Sequence, residues 1–201
     1  MIRLAFLASN NGSSLRAVVA AIEAGTLEAK AVLAVSNRKG APALDFARVH
    51  RIKTLVIPTV ADPEAADGRL AEALTLAGAE WVILSGYLRK LGPAILGQFA
   101  GRILNIHPAL LPKFGGAGMY GRRVHEAVIA AGEAVSGACV HLVDGEYDRG
   151  AVIAQVEVPI LPGDTSESLE ARVMAAEPNL FVQTLRRIAS GELRLQGRSG
   201  R

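Results

Sequence analysis

The chain has 201 residues, of which 50% are hydrophobic and 20% charged. At about 150 residues per domain that is one globular domain with a sizeable core, and the composition excludes a disordered chain. Lys and Arg outnumber Asp and Glu by only 22 to 19, and aromatics are 4%. Scattered basic residues without interleaved aromatics argue against a nucleic-acid binder, while a small anionic substrate suits the mild positive excess. No apolar run approaches the roughly 18 residues that a membrane span needs, so no membrane partner is expected. The apolar stretch after Met1 is too short for an export signal. A single cysteine, Cys139, excludes internal disulfides and a Cys-rich zinc site. The cytoplasm is the expected compartment.

Short apolar runs alternate with helical patterns along the first half. Ile2–Ala8 reads as a buried strand. Ser13–Ala24 carries Leu15, Val18, Val19 and Ile22 at helical spacing and ends at Gly25. Ala31–Val35 predicts a strand, Ala41–Val49 a short helix and Lys53–Ile57 a strand. Pro63–Ala77 predicts a helix with proline at its start, where the missing N–H does no harm. Trp81–Leu84 is a strand ending at Ser85-Gly86, Pro93–Phe99 a short helix and Arg102–Ile106 a strand. Leu110–Arg122 is a long Gly/Pro loop, followed by a helix over Val124–Ala131. Ser136–Val143 and Ala151–Pro159 lie close enough in sequence to form an antiparallel pair. Ser166–Ser190 predicts a closing helix capped by Thr165 or Ser166, with a kink or break at Pro178. The expected architecture is a single α/β domain built on a doubly wound, mostly parallel sheet, with antiparallel strands in the C-terminal half. Residues 194–201 are expected to form a flexible tail.

Open α/β sheets bind ligands outside the carboxyl ends of their strands, and the unusual residues fall in those loops. Asn11, Gly12, Ser13 and Ser14 lie between the first strand and the first helix, where free N–H groups and the helix dipole suit a phosphate. The alternative is a plain capping turn, since Ser and Asn are preferred caps. The loop matches neither the dinucleotide nor the ATP glycine pattern. Asn105-Ile106-His107-Pro108 ends the fifth strand. Alternation puts Asn105 and His107 on one side, where both can donate to one developing oxyanion. The alternative is a capped strand end with a satisfied histidine. Asp144, Glu146 and Asp148 share one turn. A carboxylate there would hold the His107 tautomer and favour its protonated form, or would merely be a turn residue. His141 shares a strand face with Cys139 and Val143 and is read as a satisfied core residue rather than a site residue. His125 is read as structural. No spacing of His, Cys and Asp suggests a metal.

Together these residues identify a resemblance. The run from Gly101 through Asn105-Ile106-His107-Pro108-Ala109-Leu110-Leu111-Pro112 to Lys113, with Ser85-Gly86-Tyr87-Leu88-Arg89 upstream, resembles the folate-dependent formyltransferases. The similarity extends from Ile2 to about Leu193, so residues 1–193 are expected to form one formyltransferase domain of Rossmann-like fold. Asn11-Gly12-Ser13-Ser14-Leu15 points to the branch that acts on glycinamide ribonucleotide in purine (IMP) synthesis. The resemblance implies transfer of a formyl group from 10-formyltetrahydrofolate, as co-substrate, to the amine of that ribonucleotide, without ATP or metal. It implies Asn105, His107 and Asp148 as the catalytic trio. Asp148 is chosen over Asp144 because Asp148-Arg149-Gly150-Ala151-Val152-Ile153 matches the family's D-x-G-x-x-I. It implies Asn11, Gly12, Ser13, Ser14 and Glu177 for the ribonucleotide. For the folate it implies Leu88, Arg89, Lys90, Leu91, Arg102, Asn105, Asp144, Gly145, Glu146, Tyr147 and Asp148. Its partners would be small molecules only, and the protein a monomer or weak homodimer.

Three departures stand out. The loop Lys113–Arg122 is longer than the common form. Pro63 or Glu64 stands where some members carry a basic residue near the folate tail. Met174 replaces a polar residue. The competing readings are another folate-dependent amine formyltransferase and a catalytically silent folate-binding module. Extra tRNA-binding or regulatory domains, as other superfamily members carry, are not expected.

Overall fold

The computed structural model describes residues 1–195; part of the expected tail, 196–201, lies outside the described residues. The strands are β1 (Ile2–Leu7), β2 (Ala29–Ser36), β3 (Thr54–Val56), β4 (Trp81–Leu84), β5 (Ile103–His107), β6 (Val135–Leu142) and β7 (Val152–Pro159). They form one sheet in the order β3-β2-β1-β4-β5-β6-β7. β1 pairs parallel with β2 and β4, β2 with β3, and β4 with β5. β6 runs antiparallel to β5, and β7 antiparallel to β6.

Period-two alternation in β1 divides the core. Leu4, Phe6 and Ala8 point into one cluster with Leu15, Val18, Leu44, Leu169 and Phe181. Ala5 and Leu7 point into the other with Leu70, Leu74, Ile95 and Phe99. Helices α1 (Ser13–Glu23), α2 (Pro42–Val49), α5 (Arg122–Ala130) and α6 (Ser166–Ala189) cover the first face. Helices α3 (Pro63–Leu76) and α4 (Pro93–Gln98) cover the second. A strand buried on both faces must be apolar throughout, which is why β1 reads as a continuous hydrophobic run. Truncating a fully buried ring such as Phe6 or Phe181 would cost about 3–5 kcal/mol.

Two sequence expectations change. The α6 helix continues unbroken through Pro178. Proline removes the bond to the Met174 carbonyl, a cost of about 3 kcal/mol, but Met174 lies on the solvent side of the helix, 52% exposed, where water can satisfy the carbonyl. Leu169, Val173, Phe181, Leu185 and Ile188 on the buried side anchor the helix on both sides of Pro178. Thr165 is the N-cap, and its capping box closes through Ser168 rather than a glutamate. At α1 the cap is not a side chain. Gly12 takes the N-cap position with φ 69° and no side-chain bond, so the plain Ser/Asn capping turn is not what the chain forms.

Candidate active site

The sheet order changes direction between β1 and β4, and the loops after these strands part there into a crevice, the expected place for a ligand in this architecture. The two loops are tied together. Ser9 N–H donates to the Gly86 carbonyl at 3.1 Å, and Leu88 N–H donates to Ser9 Oγ at 2.9 Å. Leu15 N–H is taken by the buried Ser85 hydroxyl at 2.9 Å, and Arg16 N–H by the Gly12 carbonyl at 3.0 Å. Ser13 and Ser14 are left to present the first-turn N–H groups of α1, beside the positive end of its dipole.

Asn105 and His107 leave β5 on the same side, and β6 adds His141 directly opposite Asn105 in register. Asn105 Nδ2–H donates to His141 Nε2 at 3.1 Å, while His141 Nδ1–H donates to the Leu142 carbonyl at 2.8 Å. Burial, only partly opposed by that carbonyl and by Asp148, pushes His141 below its ordinary value and keeps it neutral. The carboxylate of Asp148 sits between the two rings, with Oδ2 3.5 Å from His107 Nδ1 and Oδ1 3.5 Å from His141 Nε2. His107 Nε2–H donates to the Phe114 carbonyl at 2.8 Å, and Gly116 N–H donates to Asp148 Oδ2 at 3.0 Å. A carbonyl only accepts, so Nε2 is the donor in that contact. Nδ1 is the nitrogen that faces Asp148.

These groups open on one cavity of about 500 Å³. Asn105, His107 and Asp148 line it together with Ser13, Ser14 and Glu177 and with Met119 and Tyr120 of the long loop. Burial pushes the Glu177 carboxyl up to about 7. A narrower cleft of about 80 Å³ lies behind, between the 89–91 and 144–148 segments. Tyr87, Asn105, Tyr147 and Asp148 line both spaces. Tyr87, whose hydroxyl burial pushes up to about 12, also borders a groove of about 570 Å³ that runs out past Arg89, Lys90, Glu64 and Asp67. Two compartments that share Asn105 and Asp148 can bring two molecules together over one reacting bond.

The sequence matches the formyl transferase family model over residues 2–185. The chain belongs to the formyl transferase family. A phosphoribosylglycinamide formyltransferase of Haemophilus influenzae is 33% identical over 98% of this chain and 91% of its own length. The chloroplastic enzyme of that name from Arabidopsis thaliana is 39% identical over 91% of this chain. The chain spans 64% of the length of that plant protein and 59% of the one from Vigna unguiculata. The crystal structure of glycinamide ribonucleotide transformylase 1 from Symbiobacterium toebii superposes with a TM-score of 0.89, at 34% identity, over 98% of this chain and 92% of that one. Its agreement with the sheet described above makes the α/β expectation, parallel half and antiparallel half alike, that of a formyl transferase.

The fold distributes the expected formyl transferase residues unevenly. Asn105, His107, Asp148, Ser13, Ser14, Glu177 and Leu88 all face the large cavity. Arg89, Lys90, Leu91, Asp144, Gly145, Glu146 and Tyr147 face the narrow cleft. Asn11 is exposed beside the first, its carbonyl holding Arg16 Nε–H at 3.0 Å. Gly12 is buried beneath the loop, where a Cβ would stand 2.9 Å from that of Ala43. Arg102 lines neither the large cavity nor the narrow cleft. It precedes β5, at the end of the strand away from His107, and its guanidinium is spent on the Gln98 carbonyl at 2.7 Å and on the Phe99 ring. His141 is the residue that sequence reading set aside. The alternation that placed Asn105 and His107 applies equally to β6, but only the pairing register puts His141 against Asn105. Phe114 and Gly116 act through backbone groups, for which no side-chain signal exists.

Proposed function

We propose that this chain transfers the formyl group of 10-formyltetrahydrofolate to the primary amine of phosphoribosylglycinamide, giving the N-formyl product and tetrahydrofolate. The observation that carries the reading is the junction of two compartments at Asn105 and Asp148, with His107 beside them on the larger side. The larger offers a helix N-terminus for a phosphate and the Glu177 carboxyl for the rest of the ribonucleotide. The narrower offers the 144–148 turn and the apolar walls of Leu84, Leu91 and Val143 for a flat heterocycle, with Arg89 and Lys90 toward the acidic tail of the folate. The names of the bacterial and plant relatives support this choice of substrates. Arg102 is left out of the folate site.

The chemistry follows from the geometry. The amine attacks the formyl carbon, and the carbonyl electron pair moves to oxygen. Asn105 has one Nδ2–H on His141 and a second free to meet that oxygen. His107, protonated at Nδ1, faces the same space and adds a charged donor. Asp148 stabilises the imidazolium and takes the amine proton, directly or through one water. As the intermediate collapses, the carbon–nitrogen bond to the folate breaks and His107 supplies the proton to the departing nitrogen. One proton enters the site from the amine and one leaves on tetrahydrofolate, so nothing is left over and neither ATP nor a metal is required. A buried, unpaired Cys139 suits a reducing compartment. We assign the enzyme to the cytoplasm as a monomer or weak homodimer. Among the described residues no helix is long and apolar enough to cross a membrane.

The test is the absorbance change of 10-formyltetrahydrofolate on adding purified protein, with and without the ribonucleotide. Turnover only when both are present is expected. Turnover without the ribonucleotide would point to a hydrolase, and binding without turnover to a silent folate-binding module.

A further inference from the structure

We propose that the backbone of Phe114-Gly115-Gly116 is a positioning clamp on the acid–base pair, fixing His107 as its Nε2–H tautomer so that Nδ1 is the nitrogen that exchanges a proton with substrate. The proposal deepens the reading above, and it stands on geometry. One end of the tripeptide accepts from His107 Nε2–H at 2.8 Å, and the other donates to Asp148 Oδ2 at 3.0 Å. The two contacts are two residues apart on one stretch of chain, so the separation of imidazole and carboxylate is set by the length of that stretch rather than by either side chain.

The segment has the features of a held shape. Phe114 takes φ 55°, a left-handed conformation that costs a non-glycine residue about 1 kcal/mol or more. Its ring packs against the core cluster under the sheet, which anchors the strained residue. Asp148 has the same unusual φ of 55°. Gly115 passes so close that a Cβ would stand 2.6 Å from Leu111 Cδ2 and 3.1 Å from Asp148 Cβ. On the far side of the turn, a Cβ on Gly150 would strike the Leu142 carbonyl. Asp148 is thus confined from the loop by Gly115 and from the sheet by Gly150. The charged and titratable groups around His107 are Asp148 in its turn, His141 on β6 and His125 on α5. None of them accepts from Nε2, so the Phe114 carbonyl alone fixes that nitrogen's proton. The tripeptide lies in the long loop after β5, which gives that loop a role in catalysis besides walling the cavity.

The test reads the ring directly. Long-range proton–nitrogen correlation on the nitrogen-15-labelled protein, without substrates and at a pH where His107 is neutral, should show Nε2 protonated and Nδ1 bare. Gly115→Ala should displace the clamp, giving a mixture of tautomers and lowering kcat roughly 10- to 100-fold, with both KM values within about threefold. Lys113→Ala breaks only the exposed pair with Glu133 and should leave tautomer and kcat as they are. A wild-type ring protonated at Nδ1, or a Gly115→Ala enzyme with normal kcat and a normal ring spectrum, would overturn the proposal. If Gly115→Ala does not fold, the wild-type spectrum still decides. Because that spectrum needs no substrate, it also separates a failed clamp from a failed assignment of the reaction.

Discussion

Replacing Asp148 by Asn isolates the charge of the carboxylate from its shape. The residue sits at φ 55°, a conformation that asparagine accepts as readily as aspartate. An amide oxygen can still take the Gly116 N–H, so that hydrogen bond survives and stability should change by less than about 1 kcal/mol. The charge does not survive. With His107 Nδ1 3.5 Å from Oδ2, the attraction between imidazolium and carboxylate is about 4–5 kcal/mol at an effective dielectric near 20. Partial exposure of the site and the distance to the developing oxyanion reduce what the reaction feels. A loss of about 3–4 kcal/mol corresponds to a kcat lower by roughly two to three orders of magnitude. Asp144 provides the contrast. Its Oδ1 accepts the Glu146 N–H at 2.9 Å in a local turn that asparagine reproduces, so Asp144→Asn should change chiefly the folate KM, by less than about fivefold. Steady-state kinetics of both variants across pH, with melting temperatures to confirm folding, would check the pair. A nearly active Asp148→Asn beside a dead Asp144→Asn would refute the placement of the catalytic carboxylate.

Gly12→Val should raise the ribonucleotide KM far more than the folate KM, because the new side chain collides with Ala43 and strains a left-handed N-cap, displacing the Ser13 and Ser14 N–H groups. Equal effects on both constants would count against a phosphate site at α1. Glu177, pushed up to about 7, keeps a proton in the folded protein that the unfolded chain has lost above about 4.5. Its contribution to stability, on the order of 3 kcal/mol, is therefore complete below about 4.5 and lost as pH rises through 7. Chemical denaturation from pH 5 to 8 should show that decline in the wild type and a flatter profile in Glu177→Gln; parallel profiles would contradict the cause assigned. Thr165→Ala removes the capping box of α6 and should cost about 1 kcal/mol without altering KM, as urea titration would show. Turnover should be indifferent to a chelator and to ATP, and loss of activity on chelation would refute the direct-attack chemistry.

Where the fold was legible in the sequence, two physical signals were responsible. Short continuous apolar runs such as Leu4–Leu7 read as strands buried on both faces, and glycine or proline falls within two residues of the observed end of most elements. The same logic carried part of the site, because β5 alternation and Pro108 place Asn105 and His107 together without tertiary information. It failed where neighbours decide. Pro178 signals a kink or break in α6, yet buried residues on both sides of it let the helix run on without a break. Arg102 sits next to β5 in sequence but at the end of that strand away from His107. His141 needed the β5–β6 register to be told from a core histidine. The Phe114 and Gly116 contacts were beyond reach because a backbone carbonyl and N–H exist at every residue, and only the path of the chain gives them a partner.

Direct transfer between two bound molecules over Asn105, His107 and Asp148 allows the formyl carbon only one destination. A single-turnover experiment with carbon-13 in the formyl group of 10-formyltetrahydrofolate, analysed by mass spectrometry, addresses it at once. The label should appear on the ribonucleotide in a one-to-one ratio with tetrahydrofolate formed, with none as free formate and none on the protein. Label released as formate, or held on the enzyme before the ribonucleotide is added, would contradict it.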